Sequence, residues 1–316
     1  MAKKVEWTEE MKDRLLDLYE SSTYKEISSI INKEFKVKTN ANLVRKAYER
    51  YKLPVIGIGK REDAPKILLF DIETVPVTAY VWGLWNNNVG LNMIESDWHV
   101  LSWAAKWYGS DEVMYEDQRN AKVFEDDSKI LKKIWQLLDE ADIVVGQNSK
   151  KFDVKKLNAR FIQHGMQPPS SFRQIDTLLI AKRHFGFTRN KLQYMTDKLC
   201  TKYKKSGHAK FPGFMMWSEC MKGNLEAYKE MEDYNKLDVL SLEELYEKLM
   251  PWDDSINFSV YFEDDVCSCG STDFKKAGFY YTNASKFQKY RCKNCGAEYR
   301  DKKNLLKDKK FRKNPR

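Results

Sequence analysis

No stretch of the 316-residue chain approaches 18 consecutive apolar residues, which excludes a membrane-spanning helix. The start, Met1-Ala-Lys-Lys-Val-Glu-Trp, carries charges where a secretory signal needs its apolar stretch, so a cytoplasmic protein is expected. No internal repeat is present. Histidine is scarce: His99, His164, His184 and His208 follow no ligand spacing, and none is expected to bind metal. What the chain does have is 42% apolar and 13% aromatic residues, nine of them Trp, and that excludes disorder throughout. Its length is about twice that of an average domain, enough for one large core with appendages.

The net charge of +9 is unevenly spread. Residues 1–65 hold 14 Lys/Arg against 11 Asp/Glu, residues 66–266 hold 26 against 31, and residues 267–316 hold 15 against 4. A slightly acidic middle between basic ends suits metal-binding carboxylates in the centre and a polyanion at the flanks.

Three regions follow. In residues 1–53, Trp7, Met11, Leu15 and Leu18 recur at helical spacing. Ser22 or Thr23 can cap a second helix carrying Ile27, Ile30 and Ile31. Thr39 or Asn40 can cap a third carrying Leu43, Val44, Ala47 and Tyr48. Three short helices predict a helix-turn-helix unit, similar to small trihelical DNA-binding modules, whose third helix would offer Asn42, Arg45, Lys46 and Arg50 to DNA, with Glu49 among them as an acid that phosphates repel. A linker, residues 54–65, leads to a second domain, residues 66–252. There the runs Lys66–Glu73, Val100–Tyr108, Glu112–Tyr115 and Asp142–Gly146 read as strands. Ile130–Leu138, Val154–Gly165 and Leu225–Leu249 read as helices, the last capped by Asn224 and ended by Pro251. Strands first and alternation afterwards predict an α/β fold, a mixed sheet with flanking helices.

Asp71 and Glu73 close the first strand one residue apart, on one face and roughly 7 Å apart along the backbone, a spacing at which two carboxylates share a divalent cation. Asp153 opens the helix after the Val-Val-Gly strand, and Asp238 sits one turn after Tyr234 on the long helix. Phe70-Asp-Ile-Glu-Thr, Asn148-Ser-Lys-Lys-Phe-Asp153 and Tyr234-Asn-Lys-Leu-Asp238 together resemble the three motifs of the DEDD superfamily of exonucleases, which share a ribonuclease H-like fold. Tyr234 is similar to the tyrosine branch, which includes proofreading domains of DNA polymerases; the histidine branch would need His where Asp233 stands. Gln174-Ile-Asp-Thr-Leu and the stretch from Trp82 to Trp107 also resemble ribonuclease H-like proteins encoded by bacteriophages, for which the compartment is the host cytoplasm.

The resemblance covers residues 66–250 and implies hydrolysis of phosphodiester bonds from a 3′ end with two Mg²⁺ or Mn²⁺ roughly 4 Å apart. Asp71 would bridge both ions, Glu73 and Asp238 would complete the ion that holds the attacking water, Asp153 would support the second ion through waters, and Tyr234 would orient that water. Asn148 is a candidate for the substrate backbone. Trp82 and Trp85 are expected in the core, with stacking on terminal bases as the alternative.

Cys200 and Cys220 stand alone and are expected in the core. Cys267-Ser-Cys269-Gly and Cys292-Lys-Asn-Cys295-Gly match the layout of a four-thiolate zinc ribbon, residues 264–300, with one structural Zn²⁺; the first pair is one residue tighter than usual. Aromatics between the pairs alternate with cations, among them Lys289 and Arg291, a mixture suited to nucleic acid. Residues 301–316 form a basic tail. The whole predicts a metal-dependent 3′-to-5′ exonuclease on DNA. An exoribonuclease, a transposase-like endonuclease and an inactive DNA-binding protein are the competing readings.

Overall fold

The structure, a computed structural model, describes residues 5–19, 22–51, 58, 64–203, 210–262 and 264–306, with the backbone alone at Glu49. Most of the expected linker, His208 and the tail beyond residue 306 lie outside the described residues. The chain divides into two compact units, one from residues 1–64 with 250–316 and one from Pro65–Leu249.

The first unit opens with helices α1 (Glu9–Leu18), α2 (Tyr24–Phe35) and α3 (Ala41–Arg50). Thr8 caps α1, and Thr23 with Glu26 forms a complete capping box on α2. The α3 cap is Asn40, whose side chain accepts from Leu43 N at 2.9 Å, whereas Thr39 is tied to Asn32 and Ser28. The apolar stripes meet in a core of Met11, Leu15, Ile27, Ile31, Val44 and Tyr48, each at most 2% exposed.

In the second unit, strands β1 (Ile67–Thr74), β2 (Thr78–Ala79), β3 (Ile94–Ser96), β4 (Val100–Trp107) and β5 (Met114–Asp117) come first. Helix α4 (Ser128–Glu140), β6 (Ile143–Gly146), α5 (Asp153–Gln163), β7 (Arg173–Asp176), α6 (Thr177–His184), α7 (Leu192–Leu199), α8 (Met215–Met221) and α9 (Leu225–Leu249) follow. The sheet order is β5-β4-β1-β6-β7, antiparallel on the β4 side and parallel on the β6 side. The fold is thus mixed α/β with flanking helices. Strand alternation sends Leu68, Phe70 and Ile72 of β1 into one core with Trp103, Ile134, Leu138, Leu157 and Phe161 of β4, α4 and α5. Asp71 and Glu73 fall on the opposite face, paired with Ala104 and Ser102 of β4, the side that α9 covers.

The first unit ends in a three-stranded antiparallel sheet, β8 (Phe274–Thr282), β9 (Ser285–Cys292) and β10 (Glu298–Asn304), in the order β10-β9-β8.

Candidate active site

β1 delivers Asp71 and Glu73 to the sheet's α9 side, and α9 answers with a buried stripe at Met231, Asn235, Asp238, Leu242, Leu245 and Leu249, the helical period. Carboxylate oxygens of Asp71, Glu73 and Asp238 all lie within 4.8 Å of one another. At an effective dielectric of about 20, two charges at that separation repel by roughly 3 kcal/mol. A cation between three such acids would relieve their repulsion, and oxygen-only ligands suit a hard divalent ion.

Asp153 starts α5 and is 4% exposed; its Oδ1 accepts from Ile72 N at 3.3 Å. It does not join the oxygen cluster within 4.8 Å. Burial pushes its carboxyl up to about 7, with the charge of Asp176 acting the same way. The turn that aims it is tight. Gly146 ends β6 where an added Cβ would meet the Ser149 Cβ at 2.5 Å, and Asn148 takes the left-handed conformation at φ 64°. Asn148 N donates to Asp176 Oδ1 at 2.9 Å, so this residue's backbone anchors the turn.

Tyr234, one turn before Asp238, packs edge-on against Trp217 at 6.1 Å. Burial first, then the charges of Asp238, Glu73 and Asp71, raises its phenol far above the ordinary tyrosine range. It therefore keeps its proton and serves as a hydrogen-bond donor, not as a base.

Two residues escaped the sequence reading. Asn235 is fully buried, donates from Nδ2 to Asp71 Oδ2 at 2.8 Å, and accepts from Ser102 Oγ at 3.2 Å, so the Ser102 hydroxyl sets the amide's orientation. Its place on the buried stripe of α9, three residues before Asp238, is the signal that could have revealed it. Asp176, 3% exposed, holds Asn148 N and Lys150 N and caps α6 through Leu178 N.

The tryptophans correct an expectation. Trp82 and Trp85, expected in the core, are 101% and 86% exposed. They sit between β2 and β3 in a run, residues 74–94, without a single charged residue and with little regular structure to bury them. Cys200 and Cys220 are buried as expected.

In the other unit, the four sulfurs of Cys267, Cys269, Cys292 and Cys295 lie within 4.8 Å of one another, with Cys267–Cys295 at 3.4 Å and Cys269–Cys292 at 3.8 Å. Four thiolates around one tetrahedral ion with bonds of about 2.3 Å would stand roughly 3.8 Å apart, so the donor set fits a soft metal. Tyr299 OH donates to Cys267 Sγ at 3.3 Å, a bond that favours the thiolate. The candidate nucleic-acid contacts differ in what holds them. Lys46 and Arg50 are exposed on α3, while Arg45 is paired with Asp264 at 2.9 Å and donates to Asn42 Oδ1 at 2.9 Å. Lys289 pairs with Glu298 at 3.0 Å, and Arg291 Nε donates to Gly296 O at 3.1 Å.

Among the described residues no helix is long and apolar enough to cross a membrane. No curated protein matches the sequence. Among solved structures, a family B DNA polymerase from the hyperthermophilic archaeon Pyrobaculum calidifontis is similar over 59% of this chain, at 17% identity and a TM-score of 0.43. The likeness spans 25% of that polymerase. The RNase_H superfamily matches residues 68–250. That match runs through the whole five-stranded sheet and every acid gathered on it, more than half of the sequence, and the chain accordingly belongs to the RNase_H superfamily.

Proposed function

We propose that this protein is a metal-dependent 3′-to-5′ exonuclease acting on DNA. The observation that carries the reading is the convergence of Asp71, Glu73 and Asp238 from two distant segments onto one spot within 4.8 Å. Asp71, Glu73 and Asp238 would hold Mg²⁺ or Mn²⁺, with Asp153 beside them supporting a second ion through waters. When bound, such ions supply Lewis-acid polarisation of a phosphate and a more acidic water. The chain's own residues do the rest. Asn235 fixes Asp71 in one rotamer. Tyr234 keeps its proton and donates to the water that attacks. Asp153 is held near the end of β1 by Ile72 N. The α1–α3 module, read as a helix-turn-helix with exposed Lys46 and Arg50, and the four-cysteine sheet, read as a zinc ribbon with one Zn²⁺, would hold DNA.

The testing experiment is chromatography of products from single-stranded DNA incubated with and without Mg²⁺. The reading requires 5′-mononucleotides that appear only with the cation; oligonucleotide products alone would count against exonuclease action.

Asn235→Ala is expected to weaken Mn²⁺ binding by about 10- to 100-fold, as loss of a ligand's orienting partner does. Isothermal titration of the purified variant checks this, with thermal melting to show that the fold persists. Unchanged affinity would mean that Asn235 only fills space.

A further inference from the structure

The register of the three-stranded sheet sorts its side chains onto two faces. Phe274 pairs with Cys292 and Tyr299 with Tyr290, so one face carries the sulfur cluster and the edge-on pair Phe274–Tyr299. The opposite face is set by the pairs Tyr280–Phe287, Lys275–Arg291 and Arg300–Lys289. Two aromatic rings and four cations thus share a face whose paired positions add one acid, Glu298 opposite Arg291. The Arg300 guanidinium lies 4.3 Å over the Phe287 ring and 5.4 Å over the Tyr280 ring. Tyr280 is 45% exposed, and Lys275, Arg291 and Arg300 are exposed.

Aromatic rings at the centre of a cationic face have a specific use. Phosphates need only the cations, and a duplex keeps the flat faces of its bases inside the stack, where aromatic rings reach them only by unstacking a step. Unpaired bases present those faces and stack on aromatic rings and on guanidinium planes. The charge balance of the face complements a polyanion and disfavours a basic partner.

We propose that this face is a second nucleic-acid site that takes unpaired nucleotides, stacking bases on Tyr280, Phe287 and the Arg300 guanidinium while Lys275, Lys289 and Arg291 meet the phosphates. The site rests on the reading that the four-cysteine sheet holds nucleic acid, but it requires no hydrolysis.

The test is fluorescence anisotropy with full-length, zinc-loaded protein carrying Asp71→Asn, without added Mg²⁺ or Mn²⁺. Probes are labelled oligo(dT), oligo(U) and a DNA duplex of equal length. Single strands are expected to bind more tightly than the duplex. Tyr280→Ala and Arg300→Met should each weaken single-strand binding about 5- to 100-fold, the loss of one stacked base, while Tyr280→Trp retains it. Zinc content near one per chain keeps these variants interpretable, because a collapsed sheet would lose the metal. If Tyr280→Ala binds single strands as tightly as its parent, or if the duplex binds more tightly and is equally weakened, the platform is wrong. Hydrolysis of a small chromogenic thymidine phosphodiester by Tyr280→Ala alone separates the two ideas. Normal turnover with weakened strand binding supports the platform, and absent turnover in wild type with the same binding loss overturns only the exonuclease.

Discussion

Asp71→Asn removes hydrolysis by at least about 10³-fold, the rate equivalent of the several kcal/mol that a metal-held charge contributes to phosphoryl transfer. Asn keeps the volume of Asp and can still face the Asn235 amide, so the loss is electrostatic and not steric. The same change relieves one of three mutually repelling carboxylates in metal-free protein. Its melting temperature without divalent cation should therefore equal or exceed that of wild type. Steady-state nuclease rates and calorimetric melting read the two effects separately. A variant with more than a tenth of the wild-type rate would remove Asp71 from the chemistry.

Cys292→Ser is the second large effect. Cys292 is 1% exposed and closes β9 against Phe274, and its sulfur stands 3.8 Å from that of Cys269. Among the described residues, the apolar cluster around the sulfurs adds only Ala297 as a buried side chain, with Phe274 and Tyr299 partly buried. A sheet with so little apolar burial is expected to depend on a bound metal, and structural zinc contributes about 10 to 16 kcal/mol of folding free energy in small modules. The variant is expected to carry less than a tenth of an equivalent of zinc, to lose the sheet's near-UV circular dichroism, and to be cut by protease between Phe274 and Asn304. Cys200→Ser serves as control: Cys200 belongs to the other unit, where it lies against Ser241 of α9, and zinc content should not change. Full zinc occupancy in Cys292→Ser would mean that the four sulfurs are not a metal site.

How much of this was legible before the structure follows from where the information sits. Helix α9 runs over the residues expected, Leu225–Leu249, because apolar residues recur at helical spacing along it and Asn224 and Pro251 mark its ends. β1 was legible from its apolar run and terminal acids; α4 extends the expected helix by two residues at each end, while α5 starts one residue earlier and stops two short of Gly165, where ends fray. The strand expected at Glu112–Tyr115 lies at Met114–Asp117, since only two apolar or aromatic residues define it. β7, Arg173–Asp176, went unread: four residues, three of them polar, carry no period, and only pairing with β6 makes them a strand. Short helices α6, α7 and α8 are likewise fixed by packing more than by pattern. Asp71, Glu73 and Asp238 were legible as a set because two short motifs announce them. Asn235 was not, because its role depends on Ser102, 133 residues away. The Arg45–Asp264 pair spans 219 residues, a distance over which local pattern says nothing.

The most direct test of the central claim uses matched DNA and RNA strands labelled at the 5′ end, with Mg²⁺ or Mn²⁺, wild-type protein and Asp71→Asn. The account predicts a ladder shortening from the 3′ end on DNA, dependent on the cation and absent in the variant. Discrete internal cuts, a preference for RNA, or a ladder that survives in Asp71→Asn would contradict it.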